Sequence, residues 1–151
     1  MPDRDERYAG LDRGNMVRFS HGAIDAGADA VVGFGSHILR AVENYRGRLI
    51  AYSIGNFCAT GGLRTEGLRR FTVVLKLRIP AASPPPALEW SFAPMIFDAA
   101  GRPIPDRESG ALDLLRKLTD RYYAKWAARP TDIRIADDGT IDFVVSENRL
   151  K

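Results

Sequence analysis

The chain has 151 residues, a length typical of one domain, with 45% apolar and 27% charged residues. This balance indicates a folded globular protein and excludes a disordered or fibrous chain. Lysine and arginine number 22 against 19 acidic residues, a net charge of +3, and the basic residues are scattered along the chain. We therefore expect no nucleic-acid partner. The single cysteine, Cys58, excludes an intrachain disulfide.

The first 18 residues are charged and lack the apolar run of a signal peptide. No window of the sequence has the apolar length that a membrane span needs. We expect neither an export signal nor a membrane anchor within the 151 residues, and the sequence leaves the cellular compartment open.

The first predicted elements are a short helix and a strand. Asn15 is suited to cap a helix that Gly27 ends, and Ala30 to Gly33 has the composition of a buried strand. The loop from Phe34 to His37 follows that strand. Open α/β sheets bind ligands beyond the carboxyl ends of their strands, so this loop is the first place to look for a site.

A β-hairpin is predicted next. Two β-prone runs, 41–45 and 48–54, flank the dipeptide Arg46-Gly47, which favours a tight turn. Residues 58–68 contain three glycines and indicate a mobile loop.

The second half of the chain predicts strands, a proline-rich loop and a long helix whose apolar residues Leu112, Leu115, Tyr122 and Trp126 share one face. In order these are strand 71–79 with alternating apolar residues, loop 80–86, strand 88–92, a helix from Arg107 to Ala127 capped by Asp106, and a closing hairpin of strands 131–135 and 140–145. The order predicts one α/β domain, 1–151, with mixed or antiparallel strands and two main helices.

Four short motifs carry a resemblance to a known family. They read IDAGAD at 24–29, a loop ending in His37, YRG at 45–47 and YSIGNF at 52–57. In this order and spacing the chain resembles the CapA family of the calcineurin-like metallophosphoesterase superfamily, whose members show IDAGAD, Gly-His-x-Pro-His, YKG and YSLGNF. The resemblance implies the C-terminal half of a metallophosphoesterase-like layered sandwich. It also implies a relation to capsule or poly-γ-glutamate synthesis.

The resemblance further implies a pair of divalent cations of the Mn, Fe, Zn or Mg class, bound in part by the two histidines of the family loop. Here Phe34 stands at the first histidine position and Ser36 at the usual proline, so only His37 is carried over as a metal ligand. A phenyl ring has no lone pair for a metal. The family's other ligands precede the IDAGAD helix, and the 23 residues before that helix do not contain their motifs. We predict no catalytic residue.

Two more residues are candidates for binding a substrate, which the resemblance implies is a small molecule or a polyanionic polymer. Arg40 is predicted either to contact an anionic substrate or to be solvated. Asn56 is predicted either to contact substrate or to serve turn formation beside Gly55. His21 lies on the apolar side of the first helix and is interpreted as a packed or hydrogen-bonded histidine. Cys58 is interpreted as a small buried residue and not as a nucleophile.

Two functional hypotheses remain. In the first, the chain is a segment of a metal-dependent hydrolase-like CapA protein and is inactive in isolation. In the second, it is a degenerate, non-catalytic remnant that binds a second copy of itself or a missing N-terminal half through exposed apolar surface. Upstream coding sequence with Asp and His motifs would favour the first. A monomer that binds no hydrophobic dye would count against the second.

Overall fold

The computed structural model describes residues 4–58, 64–79, 88–126 and 133–143. Within these ranges the protein is a mixed α/β fold with two α-helices, as predicted. The elements are β1 (Arg7–Tyr8), β2 (Leu11–Asp12), α1 (Met16–Asp25), β3 (Ala30–Val32), β4 (Val42–Tyr45), β5 (Arg48–Ala51), a 3₁₀-helix (Gly67–Arg70), β6 (Phe71–Arg78), β7 (Glu89–Phe97), β8 (Pro103–Pro105), α2 (Gly110–Trp126), β9 (Ile133–Ile135) and β10 (Thr140–Phe143).

The described strands form three sheets. The small mixed sheet has the order β3-β5-β4, in which β3 runs parallel to β5 and β4 runs antiparallel to it. The larger sheet has the order β6-β7-β10-β9, with β8 also paired to β7, and all its pairs are antiparallel. The short strands β1 and β2 pair with each other. The prediction of mixed or antiparallel strands is therefore confirmed.

Helix α1 forms as its local sequence predicts. Asn15 adopts an extended conformation, and its Oδ1 accepts a hydrogen bond of 2.9 Å from the backbone N–H of Arg18. This contact satisfies one of the N–H groups that a helix start leaves without a partner. Val17 and Ile24 are buried on one face.

Strand β3 is found where it was predicted, but the prediction that it is buried is wrong. Ala30 and Val31 are half-buried, and Val32 is 41% exposed. The reason is that β3 pairs only with β5 among the described strands, so it lies at the edge of its sheet. An apolar run alone does not tell an edge strand from a central one.

The β4–β5 hairpin is confirmed. Its turn residues, Arg46 and Gly47, have φ angles of 55° and 78°, the left-handed pair that a tight two-residue hairpin turn requires. Strand β5 ends at Ala51 and not at Ile54, although Tyr52 N still donates to Ala41 O at 3.2 Å and Ile54 N to Gly33 O at 3.2 Å.

Strand β6 is buried near its N-terminal end and exposed near its C-terminal end. Thr72 and Val73 are buried, whereas Leu77 is 44% and Ile79 is 67% exposed. The alternation of apolar residues at 71–79 indicates an amphipathic strand and does not report how far the core extends along it. Loop 80–86 and most of loop 58–68 lie outside the described residues.

Helix α2 begins at Gly110, three residues later than predicted. Ser109 has a φ of 58°, which a right-handed helix does not allow, so the helix starts after it. Asp106 still caps this end, because its Oδ2 accepts a hydrogen bond of 2.7 Å from the N–H of Ala111. Leu112 and Leu115 are buried as predicted. The side chain of Trp126 is outside the described part.

Helix α2 also provides a hydrogen-bond acceptor for a backbone N–H of β4, the strand at one edge of the small sheet. The hydroxyl of Thr119 accepts a hydrogen bond of 3.2 Å from the backbone N–H of Val42, across 77 residues of sequence. The closing hairpin is confirmed for β9 and β10, and its predicted ends at 131–132 and 144–145 are not described. Neither α1 nor α2, the α-helices among the described residues, is long and apolar enough to cross a membrane.

A buried carboxylate joins both helices to the small sheet. Oε2 of Glu43 accepts hydrogen bonds from the hydroxyls of Tyr52, at 2.5 Å, and Tyr122, at 3.2 Å. The same oxygen lies 3.0 Å from Nε2 of His21, whose ring stacks on Tyr45 with centroids 3.9 Å apart. The interpretation of His21 as a hydrogen-bonded histidine is confirmed. We call Glu43, His21, Tyr52 and Tyr122 the Glu43 network.

Tyr52 should make the free energy of unfolding depend on pH in the alkaline range. Burial, followed by the charge of Glu43, raises the pKa of Tyr52 above its ordinary value. The folded protein therefore keeps a proton that the unfolded chain loses above about pH 10. The stabilisation is complete below that pH and is lost as the pH rises beyond it, by up to about 1.4 kcal/mol per pH unit. Urea unfolding between about pH 9 and 11 should show this slope, and Tyr52→Phe should reduce it. Equal slopes would contradict the assignment.

Candidate functional site

The candidate site lies where the two parallel strands end. Strand β3 leads into residues 33–37 and β5 leads into residues 52–57. Because the two strands are parallel, both segments begin at the same end of the small sheet. Gly33 joins them, because its N–H donates to Ala51 O at 2.8 Å and its carbonyl oxygen accepts from Ile54 N at 3.2 Å. A Cβ at Gly33 would lie 2.5 Å from Tyr52 O, so only glycine allows this approach.

His37 and Asn56 are in contact at this end of the sheet. Nδ1 of His37 lies 2.7 Å from Oδ1 of Asn56, and Nδ2 of Asn56 donates to the backbone oxygen of His37 at 3.3 Å. His37 is exposed, and its φ of 61° is uncommon for a residue other than glycine. Asn56 is 7% exposed. The structure thus brings together the predicted metal ligand and one predicted substrate residue.

Ser36 fixes the loop through hydrogen bonds in place of the proline of the family pattern. Its Oγ lies 2.9 Å from Oγ of Ser53 and 3.1 Å from the backbone oxygen of Ile38. The hydroxyl of Ser36 has one proton, and both Ser53 Oγ and Ile38 O are placed to accept it. This pair of serines was not predicted from the sequence. The YSIGNF motif, which contains Ser53, was the signal for it.

The segment that carries Asn56 is also attached to the larger sheet. The backbone oxygen of Ile54 accepts hydrogen bonds from the hydroxyl of Thr72, at 2.8 Å, and from Val73 N, at 3.2 Å. Asn56 is therefore held between the loop after β3 and the start of β6. A buried amide in such a segment has little freedom to turn away from His37.

Arg40 does not contact the His37–Asn56 pair. Its guanidinium forms an ion pair with Glu6, with N···O distances of 2.6 and 3.3 Å, and the two side chains are 19% and 25% exposed. The guanidinium stays partly exposed beside Glu6, so the alternative of a solvated Arg40 also stays a prediction. A role for Arg40 in binding substrate stays a prediction.

Exposed residues flank the pair. Phe34 is 78% exposed in the loop after β3, and Phe57 is 53% exposed directly after Asn56. Cys58 is exposed, so its interpretation as a buried residue is wrong. The chain leaves the core after Asn56, which the sequence alone did not reveal. The hypothesis of a non-catalytic remnant that binds a partner stays a prediction. The exposed rings of Phe34 and Phe57 are apolar surface of the kind that this hypothesis requires.

The donor set here is small. Among the residues that the structure describes, no three His, Cys, Asp or Glu side chains come together. Oδ1 of Asn56 already accepts a hydrogen bond from His37. The atom of this pair that remains as a possible metal ligand is Nε2 of His37. This set does not fit a complete two-metal centre, which needs several ligands for each cation. His37 as a metal ligand stays a prediction.

Residues 12–60, which include both segments of the site, match the family model described as "Bacterial capsule synthesis protein PGA_cap". The protein named "PGA biosynthesis protein CapA" from Bacillus subtilis is 37% identical in an alignment of 75 residues, and the match covers 41% of this chain. Residues 12–60 of this chain are therefore similar to part of the CapA family. The CapA resemblance drawn from the motifs at 24–57 is thereby confirmed.

Two further proteins match this chain over a shorter stretch. Two proteins of Sinorhizobium fredii, named "Uncharacterized protein y4sH" and "Uncharacterized protein y4uA", are each 65% identical over 34 residues, or 22% of this chain. The matched stretches cover 7% of each Sinorhizobium protein and 20% of the Bacillus protein. The matched stretches are thus a small share of the length of each of these relatives.

Proposed function

We propose that this chain is part of a CapA-like protein related to capsule or poly-γ-glutamate synthesis. In this proposal it supplies the histidine loop of a metallophosphoesterase-like hydrolase site for a divalent cation. The observation that carries the proposal is the contact of His37 with Asn56, which joins two family motifs beyond the ends of parallel strands. The proposed substrate is a small molecule or a polyanionic polymer.

The proposal includes the inactivity of the isolated chain. Two-metal hydrolases hold their cations roughly 3.5–4 Å apart, so that both stabilise the reacting oxygens. The described residues provide one imidazole at this place, and Phe34 occupies the position of the second. We therefore expect the chain alone not to hydrolyse phosphoesters.

The loop can be tested by restoring the missing donor. The Phe34→His substitution places a second imidazole in the loop, and its cost in stability is small because Phe34 is 78% exposed. If the loop has the geometry of a ligand loop, its affinity for Zn²⁺ or Co²⁺ should rise by at least about tenfold. Loss of a residue that only hydrogen-bonds a metal ligand already lowers metal affinity by about that factor. Isothermal titration of the tag-free protein measures this gain.

Two controls identify the source of any gain. Phe19→His adds an imidazole at a position that is 72% exposed on α1 and should leave affinity unchanged. The double variant Phe34→His with His37→Ala should lose the gain. An equal gain from Phe19→His would contradict the proposal. So would hydrolysis of p-nitrophenyl phosphate by the wild-type chain with Mn²⁺, if His37→Ala abolished it.

A further inference from the structure

Asn56 contacts both the ring and the backbone of His37. Its Oδ1 faces the ring nitrogen Nδ1, and its Nδ2 donates to the backbone oxygen. These contacts define the orientation of the amide, because the reversed amide would place Oδ1 against the backbone oxygen of His37, where neither atom can donate. With Oδ1 facing the ring, Nδ1 must carry the proton of this hydrogen bond.

We propose that Asn56 is a positioning residue that holds His37 in the tautomer with its proton on Nδ1 and a lone pair on Nε2. Nε2 has no hydrogen-bond partner among the described residues, and the side chain is exposed. The lone pair is therefore open to a ligand. An imidazole nitrogen prepared in this way suits a divalent transition-metal cation, and metal-bound histidines commonly donate their other N–H to an oxygen. Only the identity of this ligand rests on the proposed function.

Burial and backbone geometry make Asn56 suited to this role. It is 7% exposed, and Ile54, two residues earlier, is fixed to β6 through Thr72 and Val73. His37 has a φ of 61°, a conformation that costs energy for a residue with a Cβ. The hydrogen bond from Nδ2 to the backbone oxygen of His37 helps to hold this conformation. One amide thus fixes both the backbone and the ring.

The other histidine of the chain provides an internal reference. Nε2 of His21 lies 3.0 Å from Glu43 Oε2, an oxygen that also accepts from two tyrosine hydroxyls. A carboxylate accepts, so in the neutral ring of His21 Nε2 carries the proton and Nδ1 has the lone pair. The two histidines should therefore be opposite tautomers.

Long-range ¹H–¹⁵N NMR of the wild-type protein tests this at about pH 8.5, where imidazole is neutral. We expect the protonated nitrogen of His37 to be Nδ1 and that of His21 to be Nε2. Separate His37→Gln and His21→Gln variants assign the two sets of signals. A His37 ring protonated on Nε2, or one that samples both tautomers equally, would overturn the inference.

Substitutions of Asn56 then test its part in the effect. Asn56→Ala should shift the His37 signals towards the mixture of tautomers that free histidine shows and leave the His21 signals unchanged. Asn56→Asp retains an acceptor and should restore the proton on Nδ1. If His37 keeps that proton in Asn56→Ala, Asn56 is not the positioning residue. Failure of Phe34→His to gain metal affinity would refute the proposed function and leave this tautomer result unaffected.

Discussion

Glu43→Ala is expected to lower the free energy of unfolding by roughly 3–5 kcal/mol. Glu43 is 8% exposed, and its Oε2 accepts from Tyr52, Tyr122 and His21. Alanine would remove the acceptor that these three donors share, and an unsatisfied buried donor costs about 1–3 kcal/mol. Urea unfolding followed by circular dichroism measures the loss.

Two variants separate this effect from the loss of any acidic residue. Glu89 forms an exposed ion pair with Arg78, and such pairs contribute at most about 1 kcal/mol, so Glu89→Ala should be nearly neutral. Glu43→Gln keeps one acceptor oxygen and should lie between the wild type and Glu43→Ala. A cost of Glu43→Ala no larger than that of Glu89→Ala would show that the Glu43 network does not stabilise the fold.

Gly139→Ala should destabilise the protein by at least about 3 kcal/mol. A Cβ at Gly139 would lie 1.9 Å from Phe92 O, and Gly139 has a φ of 85°. Its carbonyl oxygen accepts a hydrogen bond of 2.8 Å from Phe92 N, so relief of the clash would separate β10 from β7. Thermal and urea unfolding of the variant measure the cost.

Gly101 provides the matched control for this substitution. Its φ is 72°, close to that of Gly139, but a Cβ there would meet no atom within 4 Å. Gly101→Ala should therefore cost only the conformational strain, about 1–2 kcal/mol. The difference between the two variants isolates the close approach to Phe92. Equal losses would mean that strain alone explains the effect.

The elements that the sequence predicted correctly depend on local chemistry. Asn15 caps the turn that immediately follows it, and Arg46-Gly47 makes a turn between neighbouring strands. These signals act over a few residues and can be read without knowledge of the tertiary fold. The start of α2 was predicted too early because the left-handed Ser109 has no distinct local signal.

The candidate site was predictable in position and not in its connections. The rule for strand ends indicated the loop that contains His37, and the motif YSIGNF drew attention to Asn56. The hydrogen bonds between these residues span 19 residues of sequence, and Arg40 pairs with Glu6 across 34. Such pairs depend on how strands and loops are placed in space. Burial of Asn56 and exposure of Cys58, two residues later, were unpredictable for the same reason.

The contacts from α2 limit how the family-matched segment can be handled. Thr119 and Tyr122 supply partners to Val42 and Glu43 from 77 and 79 residues further along the chain. A fragment cut at residue 60 would retain every family motif and yet expose the outer edge of β4 to other strands. Recombinant work on the histidine loop should therefore keep the chain through α2, since α2 supplies these hydrogen-bond partners.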